Sequence, residues 1–219
     1  MIWPTFCIDN FFQNPNSVID FAKKLKFIKS NGNFPGERTD ALHIINKDFF
    51  EQTTRKIVAC LYPNEVYNNI RWRAAQYFQK INPKEHPDKG FVHQDLDTEF
   101  TSIVYLSDNN SNTCIYRRIK TPIPSHTVNK EKRYTGKINK NDIKFKKDIE
   151  INQSCFEKTI EFKSIKNRMI IFDGAADHGV ENFGNKEDDE RLTLITFFES
   201  ISKVDNSPLK FHANECQRY

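Results

Sequence analysis

The sequence predicts an α+β fold: two helices, then about eight short strands, with the helices packed on one face of a barrel or sandwich. Three observations carry that prediction. Over positions 18–61 apolar residues recur at helical spacing, at Val18, Phe21, Ala22, Leu25 and Ile28 and again at Phe50, Ile57, Val58 and Leu61. From Ile70 onward the pattern changes to short aromatic and β-branched runs, the clearest being Thr101 to Leu106. Turn formers separate those runs, among them Asp108 to Asn112, Asp173-Gly174 and Gly184-Asn185.

Taken in order, Trp3 to Phe12 reads as a short strand running into a turn. Asn14-Pro15 opens the first helix, with Asn as cap and Pro at the first helical position, and Lys23, Lys24 and Lys26 fall off its apolar stripe. Asn31 to Gly36 is a loop. It ends in the polar cluster Glu37-Arg38-Thr39-Asp40, read as solvated loop, with the lining of a site mouth as the alternative. The second helix is expected to start near Asp48, with Glu51 at capping-box spacing, and to end before Pro63. Strands are expected over Ile70 to Ile81, Phe91 to Asp95, Thr101 to Leu106, Thr113 to Arg118, Thr159 to Phe162, Arg168 to Phe172, His178 to Phe183 and Arg191 to Glu199, with a polar turn over Asn82 to Gly90. A single domain of 219 residues follows, mainly helical over 1–69 and strand-rich over 70–199, with a C-terminal tail over 200–219.

Composition narrows the function classes. No run reaches membrane-spanning length, and Met1 to Thr5 lacks a basic segment followed by an apolar one, so neither a membrane role nor a signal peptide is expected. Five scattered cysteines without a C-x-x-C pair fit free thiols in a reducing cytoplasm and disfavour a zinc ribbon. Fourteen Lys/Arg against six Asp/Glu between Arg117 and Lys166 leave the rest of the chain acidic, although the net charge is +4. This stretch reads as a solvated basic insertion. A nucleic-acid partner is the alternative, tracked by the lysines and stacked by Tyr134, Phe145 and Phe156.

The chemistry concentrates at His93-Gln94-Asp95. On a strand, residues two apart share a face, so His93 and Asp95 can aim a ring nitrogen and a carboxylate at one point. Two histidines and one carboxylate make the facial set that holds iron(II) with coordination positions left open. The other H-x-D, His86-Pro87-Asp88, falls in a turn. For the remaining ligand, His126 lies in a Pro-rich loop, His212 near the C-terminus and His43 before the sheet, which leaves His178 favoured at the start of a strand. Arg191 and Thr193 share a face of the next strand, expected to pair with that of His178 as a hairpin. An inward arginine is costly unless an anion satisfies it, and a carboxylate gripped by its fork is the natural occupant. The rival placement sets Arg191 at the rim, paired with Glu187, Asp188 or Asp189.

These stretches together resemble the iron(II)/2-oxoglutarate-dependent oxygenases, nearest to the prolyl-hydroxylase-like branch. The resemblance runs from about Arg71 to Glu199 and rests on Ala75-Gln76-Tyr77, on His93 to Asp95 with Ser102 to Leu106, on His178-Gly179-Val180, and on Arg191 to Thr193 leading into Phe197-Phe198. The N-terminal Asp9 to Pro15 and Phe34 to Thr39 also resemble phage-encoded and marine-bacterial proteins of this class. The resemblance implies a double-stranded β-helix, or jelly-roll, with iron(II) on His93, Asp95 and His178. It further implies 2-oxoglutarate as cosubstrate on Arg191, Tyr105, Tyr77 and Thr193, with O2 as oxidant. Asp95, as a carboxylate ligand, leaves no room for a bound halide, which points to hydroxylation or demethylation rather than halogenation. The basic insertion departs from prolyl hydroxylases, so the substrate stays open. The rival functions are a non-catalytic jelly-roll module and a nucleic-acid-directed oxygenase.

Overall fold

Asn14 starts the first helix as its side chain predicts: its Oδ1 accepts from Ser17 N–H at 3.2 Å, and Pro15 takes the first turn, where no N–H is needed. The computed structural model describes residues 3–30, 34–62, 70–83, 85, 90–121, 143–183 and 190–202. In chain order the elements are β1 (Phe6–Ile8), α1 (Pro15–Lys23), β2 (Phe27–Lys29), β3 (Glu37–Thr39), α2 (Leu42–Ile45), α3 (Lys47–Leu61), β4 (Arg71–Ile81) and β5 (Phe100–Tyr105). They continue with β6 (Thr113–Arg118), α4 (Ile143–Gln153), β7 (Phe156–Phe162), β8 (Met169–Asp173), β9 (His178–Val180) and β10 (Arg191–Ser202). No described helix is long and apolar enough to cross a membrane.

The strands form two antiparallel sheets, one ordered β1-β8-β5-β10-β4-β3-β2 and a smaller one ordered β7-β6-β9. Period-two alternation gives the large sheet two apolar faces. Phe100 and Val104 of β5, Met169 and Ile171 of β8, Leu194 and Phe198 of β10 and Phe78 of β4 face Val18 and Ala22 of α1 and Ile57, Val58 and Leu61 of α3. The intervening residues, Ile103, Tyr105, Ile170, Phe172 and Ile195, face Ile115 and Phe162 of the small sheet. Each aliphatic or aromatic side chain so buried contributes about 1.5–3 kcal/mol, so a one-residue slip of any central strand would put both layers at fault. The two expected helices do pack on one face of the large sheet, as α1 and α3, while α2 and α4 were not expected and α4 lies beside β7 of the small sheet.

Local boundaries shifted in four places. Helix α1 ends at Lys23, so Ile28 falls on edge strand β2, where it is 47% exposed instead of extending the helical stripe. The cap of α3 is Asn46, whose Oδ1 accepts from Phe49 N–H at 3.0 Å, two residues ahead of the expected Asp48. Phe91 to Asp95 is not a laddered strand. It runs extended and touches the small sheet through one bridge, His93 to His178, with both N–H to carbonyl distances at 2.9 Å. Finally, β9 and β10 are not a hairpin. β9 pairs with β6 in the small sheet while β10 lies between β4 and β5 in the large one, because the chain changes sheet at every step from β7 to β10.

The basic stretch is also not a simple surface insertion. Its last part supplies α4 and then β7, which is laddered onto β6 from Thr113–Phe162 to Arg118–Phe156. Phe156 is buried against Val92 and Cys155 and cannot stack bases. Tyr134 lies outside the described residues, as do Pro63, His86, His126, Glu187, Asp188, Asp189 and His212.

Candidate metal centre

The change of sheet sets the geometry of the site. His93 and His178 are bridge partners, so their rings project side by side with centroids 4.4 Å apart. Each ring is oriented the same way: Nδ1 lies 2.9 Å from the carbonyl two residues earlier, Phe91 for His93 and Ala176 for His178. A carbonyl can only accept, so Nδ1 carries a proton, and Nε2 is the nitrogen turned toward Asp95. Asp95 meets both, with Oδ1 3.9 Å from Nε2 of His93 and Oδ2 3.5 Å from Nε2 of His178. One donor atom from each of the three residues falls within a 4.8 Å cluster. These are the three residues expected to converge, and their donor atoms do come together.

Neighbouring groups hold the carboxylate in place. Thr101 Oγ1 donates to Asp95 Oδ2 at 2.7 Å, and the Asp95 N–H donates to the Gly174 carbonyl at 2.8 Å. A side chain at Gly174 would run into the Thr98 carbonyl oxygen, so this approach needs glycine. Burial works to raise the Asp95 pKa, yet His178, His93, the Thr101 hydroxyl and Arg38 together bring it below its ordinary value. Behind His93, Asn152 of α4 clamps the preceding residue, accepting from Val92 N–H at 2.9 Å and donating to its carbonyl at 3.2 Å.

The triad opens into a cavity of about 490 Å3 that also takes in Gln79, Thr113, Ile195 and the guanidinium-bearing residues Arg38 and Arg191. Arg191 is 2% exposed. Its Nε makes one long contact, 3.4 Å to the Ser111 carbonyl, and its Nη2 has no hydrogen-bond partner among the described residues. Burial lowers its pKa, opposed by Tyr105, whose ring centroid lies 5.7 Å away. Arg191 is therefore a buried cation with an N–H left unused among the described residues.

Tyr105, Tyr77 and Thr193 are not among the residues that line the cavity. The fully buried Tyr105 hydroxyl donates to Thr113 Oγ1 at 2.7 Å, and Thr193 Oγ1 lies 3.5 Å from the Gln79 carbonyl. Tyr77, opposite Ile195 in the ladder, is half-buried. His43 is exposed on α2. Sequence reasoning did not single out Thr101, Gln79, Thr113 or Asn152. Thr101 sat in a strand already named and was legible from alternation; Asn152 gave no signal. Arg38, read first as solvated loop, lies on β3 inside the cavity.

Comparison with solved structures shows the fold. HygX from Streptomyces hygroscopicus, in a structure with nickel and 2-oxoglutarate bound, matches with a TM-score of 0.53 at 11% identity, over 93% of this chain and 84% of that one. EvdO2 from Micromonospora carbonacea var. aurantiaca matches with a TM-score of 0.51 at 8% identity, over 94% and 91%. SnoN, described as a non-heme alpha ketoglutarate dependent epimerase from nogalamycin biosynthesis, matches at 0.50 and 10%, over 92% and 80%. The chain therefore has the mixed fold, with a large antiparallel sheet, of these proteins. By sequence it belongs to the family DUF6445, described as a family of unknown function, whose model matches residues 3–198. No curated protein matches it.

Proposed function

We propose that this chain is an iron(II)- and 2-oxoglutarate-dependent oxygenase, a hydroxylase built on a double-stranded β-helix. The observation that carries the reading is the pairing of two things in one cavity: the His93–Asp95–His178 donor set and the buried Arg191 with its unused Nη2. Two imidazoles and a carboxylate on one side suit non-haem iron(II). The solved structures of like fold that are described with nickel or 2-oxoglutarate bound support a metal and the same cosubstrate.

In this reading His93 and His178 present Nε2, each ring fixed by its Nδ1–H to carbonyl bond, and Thr101 turns the Asp95 carboxylate toward them. Arg191 takes the far carboxylate of 2-oxoglutarate, and the Tyr105–Thr113 hydroxyl pair sits beside it. When bound, iron and 2-oxoglutarate supply O2-driven oxidation of a substrate C–H bond, with 2-oxoglutarate decarboxylated to succinate and CO2. Phe172, Ile195 and Phe197 line the same space and keep bulk water from it.

Anaerobic titration with Fe(II) and then 2-oxoglutarate tests this. A visible metal-to-ligand charge-transfer band that needs both additions and disappears in D95A is the expected result, followed by succinate on admitting O2. With neither band nor succinate, the chain is a non-catalytic jelly-roll module.

A further inference from the structure

The cavity holds a second guanidinium that the donor set and the cosubstrate do not use. Arg38 sits on β3, opposite Gln79 of β4. Aromatic rings surround its guanidinium carbon, Phe34 at 4.1 Å, Phe197 at 5.3 Å and Tyr77 at 5.7 Å from the ring centroids. Rings occupy the faces of such a group and leave its N–H edge to do the recognition. That edge is barely used. Nη2 reaches Gln79 Oε1 at a long 3.4 Å, and Nε is sealed from solvent with no hydrogen-bond partner among the described residues. Gln79 is itself fixed, because its Nε2 donates to the Pro35 carbonyl at 2.6 Å.

By register the two arginines start close together, since Arg38 is opposite Gln79, which pairs with Thr193, but their side chains reach different rungs. Arg191 lies against Tyr105, which pairs with Thr193, whereas Arg38 lies against Phe197, which pairs with Thr101. Four residues of strand part those contact points, about 13 Å at about 3.3 Å per residue. Thr101 holds Asp95, so the Arg38 guanidinium, reaching from the Gln79 rung to Phe197, faces the metal end of the cavity, while Arg191 stays beside Tyr105. Burial draws Arg38 down only to about 10, with the Asp95 carboxylate opposing, so it is a cation at neutral pH.

The charges then leave one position open. With both bound, iron(II) would be offset by Asp95 and by one carboxylate of 2-oxoglutarate, and Arg191 by the other, which leaves Arg38 with its charge unmatched among the described residues. We propose that Arg38 reads the substrate, and that the substrate brings an oxyanion, a carboxylate or a phosphate, to the metal end of the cavity. The inference rests on the oxygenase reading and assigns the class of its substrate. The apolar walls beside Arg38 suit a flat or aliphatic body carrying that group.

The test is calorimetric titration of protein loaded with Zn(II), a redox-inert stand-in, and saturating 2-oxoglutarate. Benzoate, phenyl phosphate and inorganic phosphate are the anionic probes, and benzyl alcohol is the neutral one. At least one organic anion should bind tenfold or more tighter than benzyl alcohol, and high salt should erase the preference. Benzoate and phenyl phosphate separate a carboxylate from a phosphate, and inorganic phosphate measures the charge without the body. In R38Q the preference should fall about tenfold while 2-oxoglutarate binding changes less than threefold. R38K, which keeps the charge and loses the planar fork, should fall between and serves if R38Q does not fold. Equal binding of anion and alcohol, no binding of any probe, or an anion preference that survives R38Q would overturn the proposal. So would a tenfold loss of 2-oxoglutarate affinity in R38Q, which would assign Arg38 to the cosubstrate. Failure of wild-type protein to bind 2-oxoglutarate sinks the oxygenase reading instead, and the R38Q comparison without it still reports on Arg38.

Discussion

Replacing Arg191 with Met should act in opposite directions on binding and on stability. In the protein without ligand the guanidinium is buried, its Nη2 has no partner among the described residues, and its one carbonyl contact is long. A charge held this way costs folding free energy, so an apolar side chain of similar length should leave stability unchanged or raise it by about 1 kcal/mol. Binding should suffer. A hydrogen bond to a charged group contributes about 1.5–3 kcal/mol, so losing the grip on the far carboxylate of 2-oxoglutarate should cost about 2–4 kcal/mol, roughly 30- to 1,000-fold in Kd. Calorimetry with 2-oxoglutarate on metal-loaded protein reads the first quantity and urea unfolding of the metal-free protein the second. A Kd within threefold of wild type would refute the assignment of Arg191 to the cosubstrate. A stability loss above about 2 kcal/mol would refute the energetic argument, since it would mean that the guanidinium is committed to a partner in the folded chain, as the rim alternative with Glu187, Asp188 or Asp189 supposes.

Thr101→Val keeps the side-chain shape and removes the 2.7 Å bond to Asp95 Oδ2, so metal affinity should fall about 10- to 100-fold in a chelator competition with Co(II) or Fe(II); unchanged affinity would mean that the two histidines and strand geometry orient the carboxylate unaided. The pH dependence of stability has a separate handle in Asp9, which Arg168 grips with Nε at 2.6 Å and Nη2 at 2.9 Å. That hydrogen bonding, against a small desolvation effect, depresses the folded pKa of Asp9 below its ordinary value. A depressed carboxylate pKa gives stability that is present above the unfolded value, about 3.9, and is lost as pH falls through the folded one. Wild type should therefore melt slightly above D9N at neutral pH, by less than about 1 kcal/mol since Asp9 is half exposed, and the gap should close in acid. A gap that persists at the lowest pH would assign the effect to packing.

What was legible in the sequence is what local periodicity and single-residue chemistry carry. The two-sided character of β5 is written into Phe100 to Tyr105, where alternate residues serve two different cores. Asn14-Pro15 marks a helix start because cap and proline act within one turn. The donor cluster was legible because His93 and Asp95 sit two residues apart and His178 begins a strand, although a shared strand face accounts for only part of their convergence. His93 needs no laddered strand: one backbone bridge to His178 suffices, and the second sheet forms around it. Whatever depends on which sheet a strand joins was not legible. Strands β9 and β10 follow each other in the chain and so suggested a hairpin, yet the chain crosses between the layers there and brings Arg191 to the cavity from the opposite wall.

The same limit explains Arg38 and Asn152. Polar residues in a stretch of turn formers look solvated one at a time, and only the pairing of β3 with β4 brings Arg38 between Phe34 and Phe197. Asn152 lies in a lysine-rich run whose charge dominates any local reading, while its amide acts as a substitute strand edge for Val92, next to His93 of the donor cluster. The basic stretch thus does two jobs that charge alone hides, since α4 fixes the approach to His93 and β7 closes the small sheet. Any proposal that treats this stretch as a dispensable nucleic-acid tether must reckon with that: deleting it would remove a strand of the fold and the clamp behind His93, and so would abolish metal binding for reasons unrelated to a polyanion.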